Sequence, residues 1–253
     1  MNSPAVLVRP VTSFVRRSPR MNDSQRAAWQ RLGARYLVDG LPRHQMQPLF
    51  VPQPPLDLAA LFGREAPLLV EIGAGSGENL AALAAARPSW NLLGFEVYEK
   101  VLGSTMLRLD RVGALNVKLV AGDAVSGLEY LLRPGSVAEL HTWFPDPWHK
   151  TRHAKRRLIS AGFAQLAASR LATGAHWRLA TDWDDYATHI AAVFACPEVA
   201  PLFDGGPCER DRQRPLTKFE ARAKTAGRAV SDFKFVRTDV PTNSLSPAGQ
   251  SLA

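Results

Sequence analysis

Cysteine is almost missing from this sequence: Cys196 and Cys208 are the only two, and they form no C-x-x-C pair. That scarcity excludes a disulfide framework or a thiolate zinc site and fits a reducing, cytoplasmic compartment. No run of about 18 apolar residues occurs, so no membrane-spanning segment is expected. Near Met1 the chain carries charge and proline in place of an apolar stretch, which predicts no secretory signal. Acids are in deficit, with 23 Asp and Glu against 31 Lys and Arg and a net charge of +8. Such a surplus favours a polyanionic partner, because each phosphate neutralised releases condensed counterions. Hydrophobic residues make up 46% of 253 positions, enough for one large α/β domain with extensions.

Charge and proline divide the chain. Seven arginines (Arg9, Arg16, Arg17, Arg20, Arg26, Arg31, Arg35) face one acid, Asp23, in the first 35 residues. The stretch reads as a basic arm, with a helical piece beginning at Ser24. Five prolines between Pro42 and Pro55 mark a linker. The expected organisation is therefore an arm and linker over 1–55, a domain over 56–238 and a loose tail over 239–253. Inside the domain, strands are predicted at 68–72, 92–97, 117–120, 137–144, 176–180 and 233–237, with helices between them, including one over 155–171. Alternating strands and helices predict a Rossmann-like, doubly wound and mostly parallel sheet.

In such a sheet ligands sit beyond the carboxyl ends of the strands. Here five strands in succession end in an acid: Glu71, Glu96, Asp123, Asp146 and Asp182. A single acid in that place reads as a helix cap, but five in a basic protein point to a site. The glycines after the first strand are spaced E-x-G-x-G-x-G over Glu71, Gly73, Gly75 and Gly77, which departs from the G-x-G-x-x-G fingerprint of dinucleotide sites. A pyrophosphate would be repelled by Glu71, whereas a ligand with an amino group and a sulfonium cation would be attracted. Glu96, 19 residues beyond Gly77, is placed for ribose hydroxyls, and Asp123 for the adenine amine. These placements suit S-adenosylmethionine.

The substrate signal follows the fourth strand. Lys150, Arg152, Lys155, Arg156 and Arg157 stand in a row with His149 and His153, at the mouth of the expected donor site. Nine more basic residues lie between Arg210 and Arg237. With the arm, three cationic segments flank one pocket, as a phosphate backbone requires. His149 and His153 have a metal-compatible spacing but no third converging ligand, so no metal is expected.

The motifs resemble those of the bacterial tRNA (guanine-N7)-methyltransferase family. The matching segments are Phe14-Val15-Arg16-Arg17, the Glu71–Gly77 loop, Gly94-Phe95-Glu96-Val97, Gly122-Asp123-Ala124 and Phe144-Pro145-Asp146-Pro147-Trp148-His149-Lys150. Arg152-His153-Ala154-Lys155-Arg156-Arg157, Thr181-Asp182-Trp183 and Thr217-Lys218-Phe219-Glu220-Ala221-Arg222 complete the set. The resemblance implies the fold of the class I methyltransferases and transfer of a methyl group to guanosine at position 46 of the tRNA variable loop. It implies donor contacts at Glu71, Glu96, Asp123 and Asp146, with Asp146 also catalytic. It implies substrate contacts at Lys150, Asp182, Thr217, Lys218, Phe219 and Glu220. Arg16, Arg17, Arg152, Lys155, Arg156 and Arg157 are expected on the RNA backbone. The family usually carries glycine where this chain has Ala223, which questions a left-handed conformation there. The partner is tRNA, the compartment cytoplasmic, and the protein a monomer or homodimer.

Guanine N7 has an in-plane lone pair and no proton, so its methylation needs alignment and charge stabilisation rather than a general base. Asp182 or Glu220 would hold the opposite N1–H and N2–H₂ edge. Removing the arm is expected to lower salt-dependent RNA affinity without touching donor binding. Rival readings are a dinucleotide dehydrogenase, disfavoured by the glycine spacing, and an amino-methyltransferase. The latter would carry two prolines and an aromatic after its acid or amide, not Pro-Asp-Pro-Trp. A non-catalytic RNA-binding relative would not need all the donor-site acids.

Overall fold

A computed structural model describes residues 12–14, 20–44 and 48–242. Arg9, Arg16 and Arg17 of the arm, and most of the tail expected over 239–253, lie outside the described residues. Seven strands form one sheet: β1 (Leu68–Ile72), β2 (Asn91–Glu96), β3 (Val117–Ala121), β4 (Val137–Trp143), β5 (Leu171–Thr181), β6 (Phe203–Cys208) and β7 (Ser231–Arg237). Their order is β3-β2-β1-β4-β5-β7-β6. The first five run parallel, and β7 runs antiparallel to both of its neighbours. β1 and β2 are buried along their whole length, as central parallel strands covered on both faces must be.

Side chains alternate across the sheet and sort the helices into two layers. Leu69, Leu92 and Leu119 pack against α1 (Asp23–Tyr36), α3 (Glu78–Ala86) and α4 (Glu99–Arg111). Val70, Phe95 and Val120 face α5 (Ala124–Leu131), α6 (Ala161–Arg170) and α7 (Asp184–Ala195). Two short helices, α2 (Leu58–Phe62) and α8 (Lys218–Thr225), complete the set. The order reverses between β1 and β4, so the crevice beyond their carboxyl ends is the natural ligand site. Among the described residues no helix is long and apolar enough to cross a membrane.

Several elements differ from the sequence reading: α2 and α8 are not expected, and β5 begins at Leu171, not at 176. The helix expected from Ser24 begins at Asp23 under an Asn22–Gln25 capping box, and it packs on the sheet through Ala28, Leu32 and Tyr36. The helix expected over 155–171 is divided: Thr151–Arg156 is a 3₁₀ turn, and α6 starts only after Ser160, which caps it. Cations at a helix N-terminus oppose its dipole, so the basic run stays ahead of the helix. The missed strand is β6, whose Gly-Gly-Pro centre reads as a breaker. It is an edge strand, where proline is tolerated. Gly205 adopts φ 112°, and a Cβ there would lie 2.3 Å from the Lys234 carbonyl oxygen.

Candidate active site

A cavity of about 200 Å³ opens at the reversal between β1 and β4. Gly73, Gly75 and Gly77, at φ 73°, 55° and 75°, curl the chain over its floor in a conformation that side-chain-bearing residues rarely adopt. The turn brings the Gly75 amide within 3.1 Å of Glu96 Oε2, while the Tyr98 amide donates to Oε1 at 3.0 Å. Asp123 stands on the next wall, accepting from the Ser126 amide and hydroxyl at 2.9 and 3.0 Å. Of the five strand-end acids only Asp123 caps a helix. The N-caps of α3, α4 and α7 are Gly77, Tyr98 and Trp183. Asp146 is followed by no helix until the 3₁₀ turn whose cap is Lys150. The helix-cap reading therefore fails for four of the five.

Electrostatics separate site acids from structural ones. Glu71, Glu96 and Asp123 are 3%, 7% and 6% exposed. Burial pushes all three carboxyls upward, Glu71 to about 8 despite a hydrogen bond from Asn79. Glu139 is also buried, yet His141 and Arg87 hold it down to about 2 against the upward push of burial. Arg87 Nη1 lies at 2.5 Å and Arg178 Nε at 3.2 Å from Glu139. Glu139 thus has its cations within the fold, whereas the acids of the cleft favour a positive ligand.

The Phe144–Trp148 loop crosses the cavity mouth. Phe144 and Trp148 bracket Pro145-Asp146-Pro147 at φ 51° and 47°, the two positive-φ non-glycine residues among those described. Backbone held this way costs energy and recurs at functional sites. Trp148 Nε1 donates to the Ser13 carbonyl at 3.1 Å. Arg156, 3.9 Å above the Trp148 ring, donates to the carbonyls of Thr12 at 3.0 Å and Phe14 at 2.6 Å. Ser13, Phe14 and Asp146 all line the cavity.

The predicted substrate residues part company. Lys218 and Phe219 line the cavity, and Phe219 remains 45% exposed. Lys150 is exposed and caps the 3₁₀ turn Thr151–Arg156. Thr217 is the N-cap of α8. Glu220, 1% exposed, is bound by Arg210 at 2.7 Å, Arg214 at 3.4 Å and Lys224 at 3.5 Å. These cations hold its carboxyl low although burial opposes them. Glu220 is thereby tied to Arg210, Arg214 and Lys224 at the start of α8. Asp182 lies outside the cavity wall, paired with Arg228 at 2.7 Å. Ala223 sits inside α8, and the left-handed residue is Gly227 beyond it.

The cationic run is similarly divided. Arg152 and Lys155 lie in the 3₁₀ turn. Arg156 is engaged with Thr12–Phe14. Arg157, expected on phosphate, is 9% exposed, ion-paired with Asp185 and bonded to the Pro147 carbonyl at 2.9 Å. A phosphate would compete with these bonds for the Arg157 guanidinium, which ties the Pro147 carbonyl to Asp185. His149 packs on Trp183 and His153 on Trp148. Asn79, His141 and Trp143, beside Glu71, carry no sequence signal of their own.

A family model described as a putative methyltransferase matches residues 65–233. A tRNA (guanine-N(7)-)-methyltransferase of Cutibacterium acnes is 47% identical over 234 residues, covering 91% of this chain and 84% of that protein. Proteins of the same name from Nocardioides sp. and Methylococcus capsulatus are 44% and 42% identical, each over 91% of this chain and over 88% and 95% of their own lengths. The crystal structure of the 16S rRNA methyltransferase KamB shares the fold, with a TM-score of 0.52 and 15% identity over 74% of this chain and 95% of that one. With the glycine turn, the strand-end acids and the Phe-Pro-Asp-Pro-Trp loop in place on that fold, the chain belongs to the tRNA (guanine-N(7)-)-methyltransferase family.

Proposed function

We propose that this protein methylates N7 of guanosine at position 46 in the tRNA variable loop, with S-adenosylmethionine as donor and without a metal. What supports this reading most is the burial of Glu71, Glu96 and Asp123 beside one cleft, each carboxyl pushed upward by desolvation, with Lys218 the cation that acts on Glu96. When bound, S-adenosylmethionine supplies an electrophilic sulfonium methyl group. Glu96 would accept from its ribose hydroxyls and Asp123 from its adenine amine. Asp146 stabilises positive charge as it passes to the purine. Asp182, released from Arg228, takes the N1–H and N2–H₂ edge and turns N7 inward. Phe219, exposed at the mouth, offers a face on which the base stacks. Lys150, Arg152 and Lys155 contact the backbone.

Binding in metal-free buffer tests both halves of this reading. The full chain should bind S-adenosylhomocysteine in EDTA, and bind tRNA with a steep dependence on salt. A chain lacking residues 1–20 loses Arg9, Arg16, Arg17 and Arg20, so its plot of log affinity against log salt should flatten. It also loses Ser13 and Phe14 from the cavity wall. Donor affinity should therefore fall as well, unlike the expectation from sequence. An unchanged salt slope would separate the arm from phosphate. Absence of donor binding by the full chain would refute the donor assignment.

A further inference from the structure

Two of the large apolar side chains left exposed among the described residues flank the cap of α8, Leu216 at 56% and Phe219 at 45%. Phe219 lines the donor cleft, and Thr217 between them is the N-cap. Val112 and Leu115, also exposed, stand at the amino end of β3, the far end of the sheet from the cleft. A lone exposed leucine needs no explanation. Leu216 differs in how it is held.

The tip that carries Leu216 is fixed from both sides. Arg210 Nη2 donates to the carbonyls of the two residues before it, Arg214 at 2.8 Å and Pro215 at 3.2 Å. Arg214 is itself buried and ion-paired with Asp232 and Glu220. On the other side, Thr217 Oγ1 accepts from the Glu220 amide at 3.2 Å, and the Lys218 amide donates to Glu78 Oε2 at 3.1 Å. The fold thus presents an apolar side chain to water on pinned backbone, which favours a partner that covers it and needs no ordering of the tip on binding. The neighbours indicate the partner's charge. Arg212, Lys218, Arg222 and Lys224 are all exposed, an arrangement suited to phosphates with bases between them.

We propose that Leu216 is a wedge that enters the RNA stack beside the target guanosine and fills the gap left as that base turns into the cleft. The proposal rests on the guanosine reading above. A base held between stacked neighbours must leave them to reach a methyl donor inside a cavity, and the lost stacking has to be offset. Apolar side chains inserted between bases serve this purpose where proteins kink nucleic acids. Phe219 receives the turned base while Leu216 keeps its neighbours apart.

Single-turnover methylation of two tRNAs tests it, one unaltered and one with abasic nucleotides on both sides of the target guanosine. Leu216→Ala should slow transfer to the unaltered tRNA roughly tenfold, because fewer methyl groups are buried against a base. With abasic neighbours there is no stack to hold open, and the deficit should shrink to about twofold. Leu216→Met, long and apolar, should restore transfer to the unaltered tRNA. 2-Aminopurine beside the target should brighten when the unaltered protein binds, and brighten less with Leu216→Ala. Affinity for S-adenosylhomocysteine should be the same in all three proteins, since Leu216 lies outside the cavity wall. Unchanged transfer in Leu216→Ala, with or without a change in oligomeric state, would overturn the wedge. So would equal losses on the two tRNAs, which would make Leu216 a packing residue of the first turn of α8. Absence of 7-methylguanosine from both tRNAs with the unaltered protein would overturn the guanosine reading itself.

Discussion

Asp146→Asn should slow methyl transfer roughly 10²–10³-fold in single turnovers at saturating tRNA and donor, the loss that follows removal of one electrostatic stabiliser. The substitution keeps the side chain's shape and removes its charge. Affinity for tRNA should hardly move, because Asp146 lines the donor cavity and the cationic surface lies beyond it. A helix-capping acid would tolerate asparagine, but no helix follows Asp146 closely enough for that role. Its position is fixed by two prolines and by the left-handed residues Phe144 and Trp148. Arg214 reinforces the loop from below, its guanidinium 4.8 Å from the Trp143 ring and 5.5 Å from that of Phe144. Near-normal turnover in the asparagine variant would move the charge-stabilising role to Asp182.

Gly75→Leu should abolish donor binding while the protein remains folded. Gly75 has φ 55°, and a left-handed conformation costs a residue with a side chain about 1–2 kcal/mol. That strain is small beside the stability of a domain this size. A Cβ at Gly75 would meet only the Gly73 carbonyl oxygen, at 3.7 Å. The space around it belongs to the ligand, since Gly75 lines the cavity. Leucine would fill that space and disturb the Gly75 amide's bond to Glu96. Retained affinity for S-adenosylhomocysteine in this variant would place the donor elsewhere.

What was legible in the sequence was what depends on position along the chain. Apolar runs mark β1 and β2 because both are buried on two faces, and the acids at their carboxyl ends, Glu71 and Glu96, follow from that framework. The E-x-G-x-G-x-G turn carries its own conformational requirement. Contacts between distant segments were not legible. Glu220 and Asp182 look alike in sequence, and only the convergence of Arg210, Arg214 and Lys224 on Glu220 separates them. Arg157 looks like its neighbours in the cationic run until Asp185 and the Pro147 carbonyl take its guanidinium. β6 was hidden because glycine and proline there answer to the close Lys234 carbonyl and the sheet edge, not to strand propensity. The Asn79–His141 pair joins α3 to β4 across 62 residues, beyond any local pattern.

The proposed reaction is methyl transfer to one ring nitrogen of one class of RNA. Incubating the protein with an unmodified tRNA transcript and S-adenosylmethionine in EDTA, then digesting the RNA for nucleoside mass spectrometry, addresses it directly. The expected product is 7-methylguanosine, formed at guanosine 46 and lost when that residue is replaced by adenosine. Methylation of a different base or atom, or none under conditions where both the donor and the tRNA are shown to bind, would contradict it.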